Sequence, residues 1–439
     1  MATQRQMNLT VFMLAPGYHF DSWRMPGSRA EELGHFELVR DLTLKAESAK
    51  IDAVFFGDVV ALGPRPGTID VRTSGFNEPI TSLSALSAVT KNIGLIGTMS
   101  TTYGNPYVTA RLLNGLDNIS GGRAGWNIVT SGQGNENFGM DEHPEPEVRY
   151  HRAHEFVKIA QELWDSWSDD AVVTDRENGI WADINKIRPI NHDGELFKVM
   201  GPLNMRRSPQ GRPVLFQAGS SGLGMDLGAE VADGIYTAQP RLEEAVQFYN
   251  EFKQKIADKG RDPEQTKIFP GIMPIIGKTM AEAQELADEL ANHVHLEQGR
   301  KRMETSLRMD LSDLDFDEPI PAEYWKDDPS FGSRYQLMRR KAAEGFTLKE
   351  FIIEMARSGA HQWLVGTPDI IADRMIEWFD AGACDGFSLN PAFMPGGVDL
   401  ICDLLIPELQ ERGYYKKEYV GPTLRDNLGL KRPGAWDTK

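Results

Sequence analysis

Ile119-Ser120-Gly121-Gly122-Arg123-Ala124-Gly125-Trp126-Asn127-Ile128-Val129-Thr130-Ser131 is the stretch whose reading decides the fold. A Ser-Gly-Gly turn opens a short run ending in Ile-Val, and such a run reads as a buried strand of a parallel sheet. Polar residues come at once: Asn127 inside the run, Thr130 and Ser131 at its end. In an α/β barrel, ligands are held where strands end, so amides and hydroxyls there mark a binding face. Taken alone, the segment is more simply a strand closed by an ordinary polar turn.

The same pattern recurs along the chain. Short apolar runs at Leu9–Leu14, Asp52–Phe56, Ile93–Met99, Arg123–Val129, Pro213–Ala218, Gly234–Tyr236, Ile268–Ile276 and Gly386–Leu389 read as strands. Helical spacing separates several of them, at His35–Lys50, Arg149–Trp167, Arg241–Lys259, Met280–His295, Pro368–Ala381 and Asp399–Arg412. Eight strands alternating with helices predict a (β/α)8 TIM barrel, an α/β fold. A doubly wound sheet is disfavoured because no G-x-G-x-x-G follows the first strand. The chain reads as a single barrel domain over residues 1–439 with two insertions. One, about 172–199, carries Asn-His-Asp-Gly between short β-like runs and predicts a hairpin. The other, about 296–345, is polar, holds Pro319, Pro321 and Pro329, and reads as a lid.

Composition sets the outer bounds. The 439 residues are 41% hydrophobic and 25% charged, ample for a large core. A formal net charge of −17 argues against a nucleic-acid partner, because no basic excess offsets phosphate repulsion. Cys384 and Cys402 lie outside any CxxC or Cys/His cluster, so neither a disulfide framework nor a metal site is predicted. No run reaches transmembrane length and Met1–Gln6 has no apolar signal core, which predicts a cytoplasmic protein without membrane attachment. The acidic cluster around Asp310–Glu318 lacks the spacing of a calcium loop and reads as a solvated face.

Three predicted strand ends carry small polar groups. Phe55-Phe56-Gly57-Asp58 ends in a carboxylate. Gly97–Thr102 ends in hydroxyls, among them Ser100 and Thr101. Phe216-Gln217-Ala218-Gly219-Ser220-Ser221-Gly222 opens a helix. Glycine and serine at a helix N-terminus suit a phosphate, because free N–H groups and the helix dipole both face the anion. Together these ends suggest a phosphorylated ligand. His19, after the first strand, suits a proton donor at neutral pH, with His361 second; either also fits a loop or cap role.

At this point the residues resemble a known family. Phe55–Asp58, Ser100–Thr102, Ser120–Ser131, Gln217–Ser221, Gly366-Thr367-Pro368, Gly382–Phe387 and Glu418–Leu430 resemble the nitrilotriacetate, EDTA and dibenzothiophene-sulfone monooxygenases of the bacterial-luciferase superfamily. The likeness runs from about Leu9 to Pro433. Its most specific pieces are Gly121–Asn127 and Tyr419–Leu430. The resemblance implies a luciferase-like barrel and a two-component monooxygenase that oxygenates a small organic substrate with O₂. Reduced FMN would come from a separate NAD(P)H:flavin reductase, and a homo-oligomer, dimer or tetramer, is expected. It implies cofactor contacts at Asp58, Ser100 or Thr101, Tyr150, Gly219, and Ser220 or Ser221, with Asn127 facing the ring. Two positions depart from the pattern: Pro146 stands where the family commonly has His, and Tyr18 precedes His19 where the family often has a second His.

Three other readings compete. A deazaflavin-dependent oxidoreductase would keep the fold and need no O₂. A non-catalytic flavin-binding protein would keep the site alone. A hydrolase with paired acids would need a companion to Asp58; Asp385 starts its strand and so falls at the opposite mouth.

Overall fold

The computed structural model describes residues 5–61, 77–219, 222–307, 309–326, 332–358 and 361–436. Strands β1 (Asn8–Phe12), β2 (Ala53–Phe56), β3 (Gly94–Ser100) and β4 (Ala124–Val129) come first. Two small antiparallel pairs follow, β5 (Val172–Asp175) with β6 (Ile180–Ala182), and β7 (His192–Asp193) with β8 (Lys198–Val199). Then come β9 (Val214–Gln217), β10 (Gly234–Thr237), β11 (Lys267–Ile276), β12 (Gln362–Gly366) and β13 (Gly386–Leu389). The parallel order β1-β2-β3-β4-β9-β10-β11-β13 returns to β1 and closes an eight-stranded barrel. The predicted α/β barrel is the observed fold. Strand β12 lies outside it, paired parallel to the outer half of β11 from Ile272 to Ile276. None of the described helices is long and apolar enough to cross a membrane.

Several elements differ from the sequence reading. The helix expected at Arg149–Trp167 spans Pro146–Trp164, because Pro146 takes a first-turn position where no N–H is needed. Helices Pro79–Val89 and Pro106–Ser120 were missed, although each has its signal. Glu78 accepts from the N–H groups of Ile80 and Thr81, and Asn105 from those of Tyr107 and Val108. Strand β12 was missed too. The polar insertion has its own core: helices Leu296–Leu307, Gly332–Ala342 and Leu348–Ser358 bury Met303, Leu307, Met338, Phe351 and Ile352 together. Proline and charge in its connecting segments hid that helical spacing.

The register sorts the barrel interior into layers. Thr10, Phe12, Phe55, Ile96, Thr98, Asn127, Phe216, Tyr236, Phe269 and Ser388 fall on the inward face. Phe55 stacks between Phe12 (ring centroids 4.6 Å) and Tyr236 (4.7 Å), and Tyr236 stacks on Phe216 at 5.3 Å. Each such pair adds about 0.5–1.5 kcal/mol beyond simple burial. Glycines make room below. A Cβ on Gly234 would lie 2.4 Å from the Phe216 ring, and one on Gly94 2.5 Å from Leu424 Cδ1.

That leucine belongs to a late segment closing the end where the strands begin. Leu424, Leu428 and Leu430 pack under the aromatic layer, and Asn8 Nδ2 donates to the Asn427 carbonyl at 3.2 Å. This is the structural use of the long Tyr419–Leu430 match. The opposite end, where strand carbonyls emerge, stays open and polar.

Candidate active site

At the open end, β3 and β4 place Thr98 directly beside Asn127. Asn127 is buried; its Nδ2 donates to Thr98 Oγ1 at 2.9 Å, while its Oδ1 finds no partner among the described residues. A buried acceptor left unpaired in this way costs about 1–3 kcal/mol, so it marks a place where a donor belongs. Next along β3, Ser100 Oγ accepts from the Ser131 hydroxyl at 2.8 Å and from the Thr102 N–H at 3.2 Å. The buried Thr102 Oγ1 also lacks a partner among the described residues. Thr101 points elsewhere: its N–H and hydroxyl both go to the Val129 carbonyl, at 2.9 and 3.3 Å. Of the two neighbours, Ser100 lies with the open end and Thr101 ties β3 to β4.

The loop after β4 is held by struts. Arg149 donates to the carbonyls of Thr130 (2.6 Å), Ser131 (3.1 Å) and Pro144 (3.0 Å). Arg152 donates to those of Thr101 (2.9 Å) and Gly104 (3.0 Å). Tyr103 stacks on Phe138 at 4.2 Å and its hydroxyl lies 3.2 Å from His143 Nδ1. Burial and the nearby Arg149 charge hold the His143 imidazole below its usual range. No histidine is needed at Pro146 to fix this loop.

On β9, the next strand after β4, Gln217 Oε1 accepts the Gly219 N–H at 2.8 Å. A Cβ on Gly219 would lie 2.7 Å from Gly224 Cα, and one on Gly224 3.1 Å from the Tyr150 hydroxyl. Only glycine allows this approach. Gly219, the first turn of helix Gly222–Val231 and Tyr150 are thus brought together. Ser220 and Ser221 lie outside the described residues. At the end of β2, the half-buried Asp58 carboxyl is pushed up, first by burial and then by the like charge of Glu78, against a hydrogen bond from the Val59 N–H.

The two candidate histidines sit in different surroundings. His19 is fully buried, its Nδ1 accepts the Asp21 N–H at 3.3 Å, and its ring lies 6.4 Å from that of Trp363. His361 is half-buried, and its Nε2 lies 3.0 Å from the Tyr18 hydroxyl. Its Nδ1 occupies space left by Gly271, where a Cβ would lie 2.3 Å away. Asp385 is at the closed end, where its Oδ2 accepts the Ile268 N–H at 3.0 Å. Ser388 and Asn390 were missed in the sequence; Thr98 and Thr102 lay within the hydroxyl-bearing end of Gly97–Thr102 without being singled out, and Tyr18 was noted only as a departure from the family pattern. Period-two counting back from Ser100 reaches Thr98, and forward reaches Thr102; nothing local signals Ser388 or Asn390.

The family model described as luciferase-like monooxygenase matches residues 16–384. N-acetyl-S-(2-succino)cysteine monooxygenase of Bacillus subtilis (strain 168) is 42% identical over 434 residues, covering 98% of each chain. Nitrilotriacetate monooxygenase component A of Aminobacter aminovorans is 36% identical, covering 99% of this chain and 98% of that protein. Dibenzothiophene-sulfone monooxygenase of Rhodococcus erythropolis is 37% identical over 454 residues, covering 99% of this chain and 98% of that protein. Among solved structures, a long-chain alkane monooxygenase superposes with a TM-score of 0.85 at 31% identity, covering 97% of this chain and 96% of that one. A riboflavin lyase solved with modified FMN and riboflavin gives 0.84 at 28% identity, covering 98% and 97%.

Proposed function

Because the chain belongs to the luciferase-like monooxygenase family, we propose that it is the oxygenase component of a two-component, FMN-dependent monooxygenase. The observation that carries this reading is the open barrel end. A buried, unpartnered Asn127 oxygen and the Gly219–Gly224 approach beside Tyr150 share that end. These groups fit a phosphorylated flavin. Main-chain N–H groups at the start of helix Gly222–Val231 suit the phosphate, with Ser220 and Ser221 as the expected hydroxyl partners. Asn127 and Ser100 suit the polar edge of a ring system or its side chain.

Reduced FMN, when bound, supplies the reaction with O₂; the protein supplies binding, orientation and exclusion of water. The aromatic layer beneath Asn127 closes the barrel interior to solvent from below. Arg149 and Arg152 fix the loop beside the mouth. Asp58, whose carboxyl burial and Glu78 push above its usual range, offers acceptor oxygens at the end of β2. Of the two histidines, His361 has the access that substrate contact requires, while His19 reads as a buried support of the loop after β1. Supply of reduced cofactor by a separate NAD(P)H:flavin reductase follows from the likeness to proteins named as one component or subunit of a pair.

The test is a coupled incubation with a flavin reductase, FMN, NADH and O₂. The compounds to offer are N-acetyl-S-(2-succino)cysteine, nitrilotriacetate and dibenzothiophene sulfone, with products read by mass spectrometry. Products carrying one oxygen from ¹⁸O₂, formed only when the reductase is present, are expected. NADH oxidation at full rate by the chain alone would overturn the two-component reading.

A further inference from the structure

The core of the 296–345 insertion is not packed evenly. Where Gly299 on helix Leu296–Leu307 meets helix Leu348–Ser358 the approach is tight, and a Cβ on Gly299 would lie 2.2 Å from Ile352 Cγ2. Beside that contact lies a cavity of about 30 Å³. Its walls include Met303, Ile352, Met355 and Ala356, with Met338 of helix Gly332–Ala342 and Phe20 of the loop after β1. Phe20 is tied to the wall behind it through its backbone, whose N–H donates to the Ala356 carbonyl at 3.3 Å.

The walls decide what can enter. Their side chains are carbon and thioether sulfur, with Arg302 as the one polar exception among the lining residues. Its Nη2 donates to Asp21 Oδ2 at 3.1 Å, and the guanidinium lies over the Phe20 ring at 4.7 Å. A buried water needs about two to four polar partners, which such walls do not offer; apolar cavities stay dry and admit guests such as xenon. Size is the second limit. One water takes roughly 10–15 Å³ of such space, so the cavity suits a guest of about two heavy atoms. Met303, Met338 and Met355 are all buried around it, and unbranched thioether chains adjust to a guest with little strain. Position is the third. Phe20 directly follows the buried His19, so the cavity borders the loop that leaves the open end of the barrel.

We propose that this cavity is a binding site for a small apolar gas, and that its guest in the working protein is O₂, held beside the barrel mouth. O₂ is diatomic, uncharged and a poor hydrogen-bond acceptor, so it matches walls that water does not. The choice of O₂ rests on the oxygenase reading above; the gas site does not.

The experiment has two arms. In the first, the full-length chain carrying ¹³C-methyl methionine is examined by NMR under xenon and then under O₂, whose unpaired electrons speed the relaxation of methyls it dwells beside. The signals needed are those lost in Met303→Leu, Met338→Leu and Met355→Leu. Xenon should shift all three along one saturable curve. O₂ should speed their relaxation about threefold or more over that of Met273 and Met394, which are equally sheltered from solvent but line no part of this cavity. Ala356→Leu pushes an isopropyl group into the space and should abolish both effects at Met303 and Met338; Ala356→Val does so with less crowding. Effects no larger than those at Met273 and Met394, or effects indifferent to a folded filling variant, would overturn the proposal.

In the second arm, the coupled incubation is run at varied O₂ with whichever of the three offered compounds is oxygenated. The filling variant should raise the KM for O₂ about threefold or more, with kcat at saturating O₂ and FMN affinity unchanged. An unaltered KM for O₂ in a variant that no longer takes up xenon would overturn the assignment of the guest. If no offered compound is oxygenated by the wild type, the oxygenase reading fails and O₂ loses its role, while the xenon arm still decides the gas site.

Discussion

The two mouths of the barrel solve opposite problems with different residues. At the closed mouth, four barrel strands have a backbone N–H at their start taken by a carboxylate. Asp52 accepts from Leu9 N (2.7 Å), Asp117 from Ala124 N (2.9 Å), Asp233 from Leu215 N (3.0 Å) and Asp385 from Ile268 N (3.0 Å). Three of them also meet buried or half-buried cations: Lys416 at Asp52, Arg425 at Asp233, and Lys253 and Arg5 at Asp385. Asp117 is capped by the Gln210 amide at 2.7 Å. At the open mouth the barrel-facing groups of β3 and β4 are neutral amides and hydroxyls, with charge kept to Asp58 and the bracing arginines around them, and the buried oxygens Asn127 Oδ1 and Thr102 Oγ1 stay without partners among the described residues. Carboxylates that cap backbone at one end, with only Asp117 Oδ2 among them unpartnered within the described residues, and unpaired neutral acceptors at the other separate stability from the proposed binding role along a single axis.

That separation breaks hardest at Asp52. Asp52→Ala would leave Lys416 buried beside an unpaired Leu9 N–H. A loss of about 3–5 kcal/mol is expected, the range for removing one partner of a buried pair. Urea unfolding measures it, and activity per folded molecule should be unchanged. A small stability change with lost activity would erase the distinction between the mouths.

Asp117 gives a pH signature. Full burial pushes its carboxyl up to about 6, against hydrogen bonds that favour the ionised form. The folded chain therefore holds this proton more tightly than the unfolded one, whose carboxyl titrates near 4. Stability from this group is greatest at low pH and falls as pH rises from about 4 to 6, by up to roughly 2–3 kcal/mol. Subtracting the Asp117→Asn curve from the wild-type curve between pH 4 and 7 should reveal that slope.

His19 sharpens the comparison, because it lies toward the open end and its burial fits the supporting role proposed for it. His19→Ala leaves the Asp21 N–H without its acceptor and should cost about 1–3 kcal/mol by thermal melting. FMN affinity should survive. Loss of turnover at full stability would return His19 to the chemistry.

The smallest stability effect belongs to Asn127. Asn127→Ala removes one hydrogen bond to Thr98 together with an unpaired acceptor, so the net change should stay within about 1 kcal/mol. FMN affinity, by contrast, should drop about 2–10-fold, measured by fluorescence titration.

Much of this was legible in the chain. Apolar runs such as Leu95-Ile96 and Ile128-Val129 announced the strands and therefore both mouths. Ser100 and Gly219 were legible because they come where such runs end, and Asn127 because it interrupts one. Tyr18, Asn390 and His361 were harder to assemble, since loops of more than 300 residues' separation bring Tyr18 and His361 together. Thr101 shows the limit of spacing alone: it adjoins Ser100 in sequence, and its hydroxyl turns to the Val129 carbonyl. The core of the 296–345 insertion was masked because its apolar residues are spread over three helices, none of which is persuasive by itself.

The segment from Leu424 to Leu430 follows every strand it seals. During synthesis, the barrel's lower layer must therefore wait, with the inner faces of Ile96, Phe216 and Phe269 lacking their cover until this segment leaves the ribosome. The fold is finished last at the end farthest from its chemistry. A ribosome stalled after residue 420 should hold a chain whose upper mouth is nearly complete and whose floor is a sticky, solvent-facing aromatic surface. Chaperone capture is expected to peak there and to cease once Leu430 has emerged.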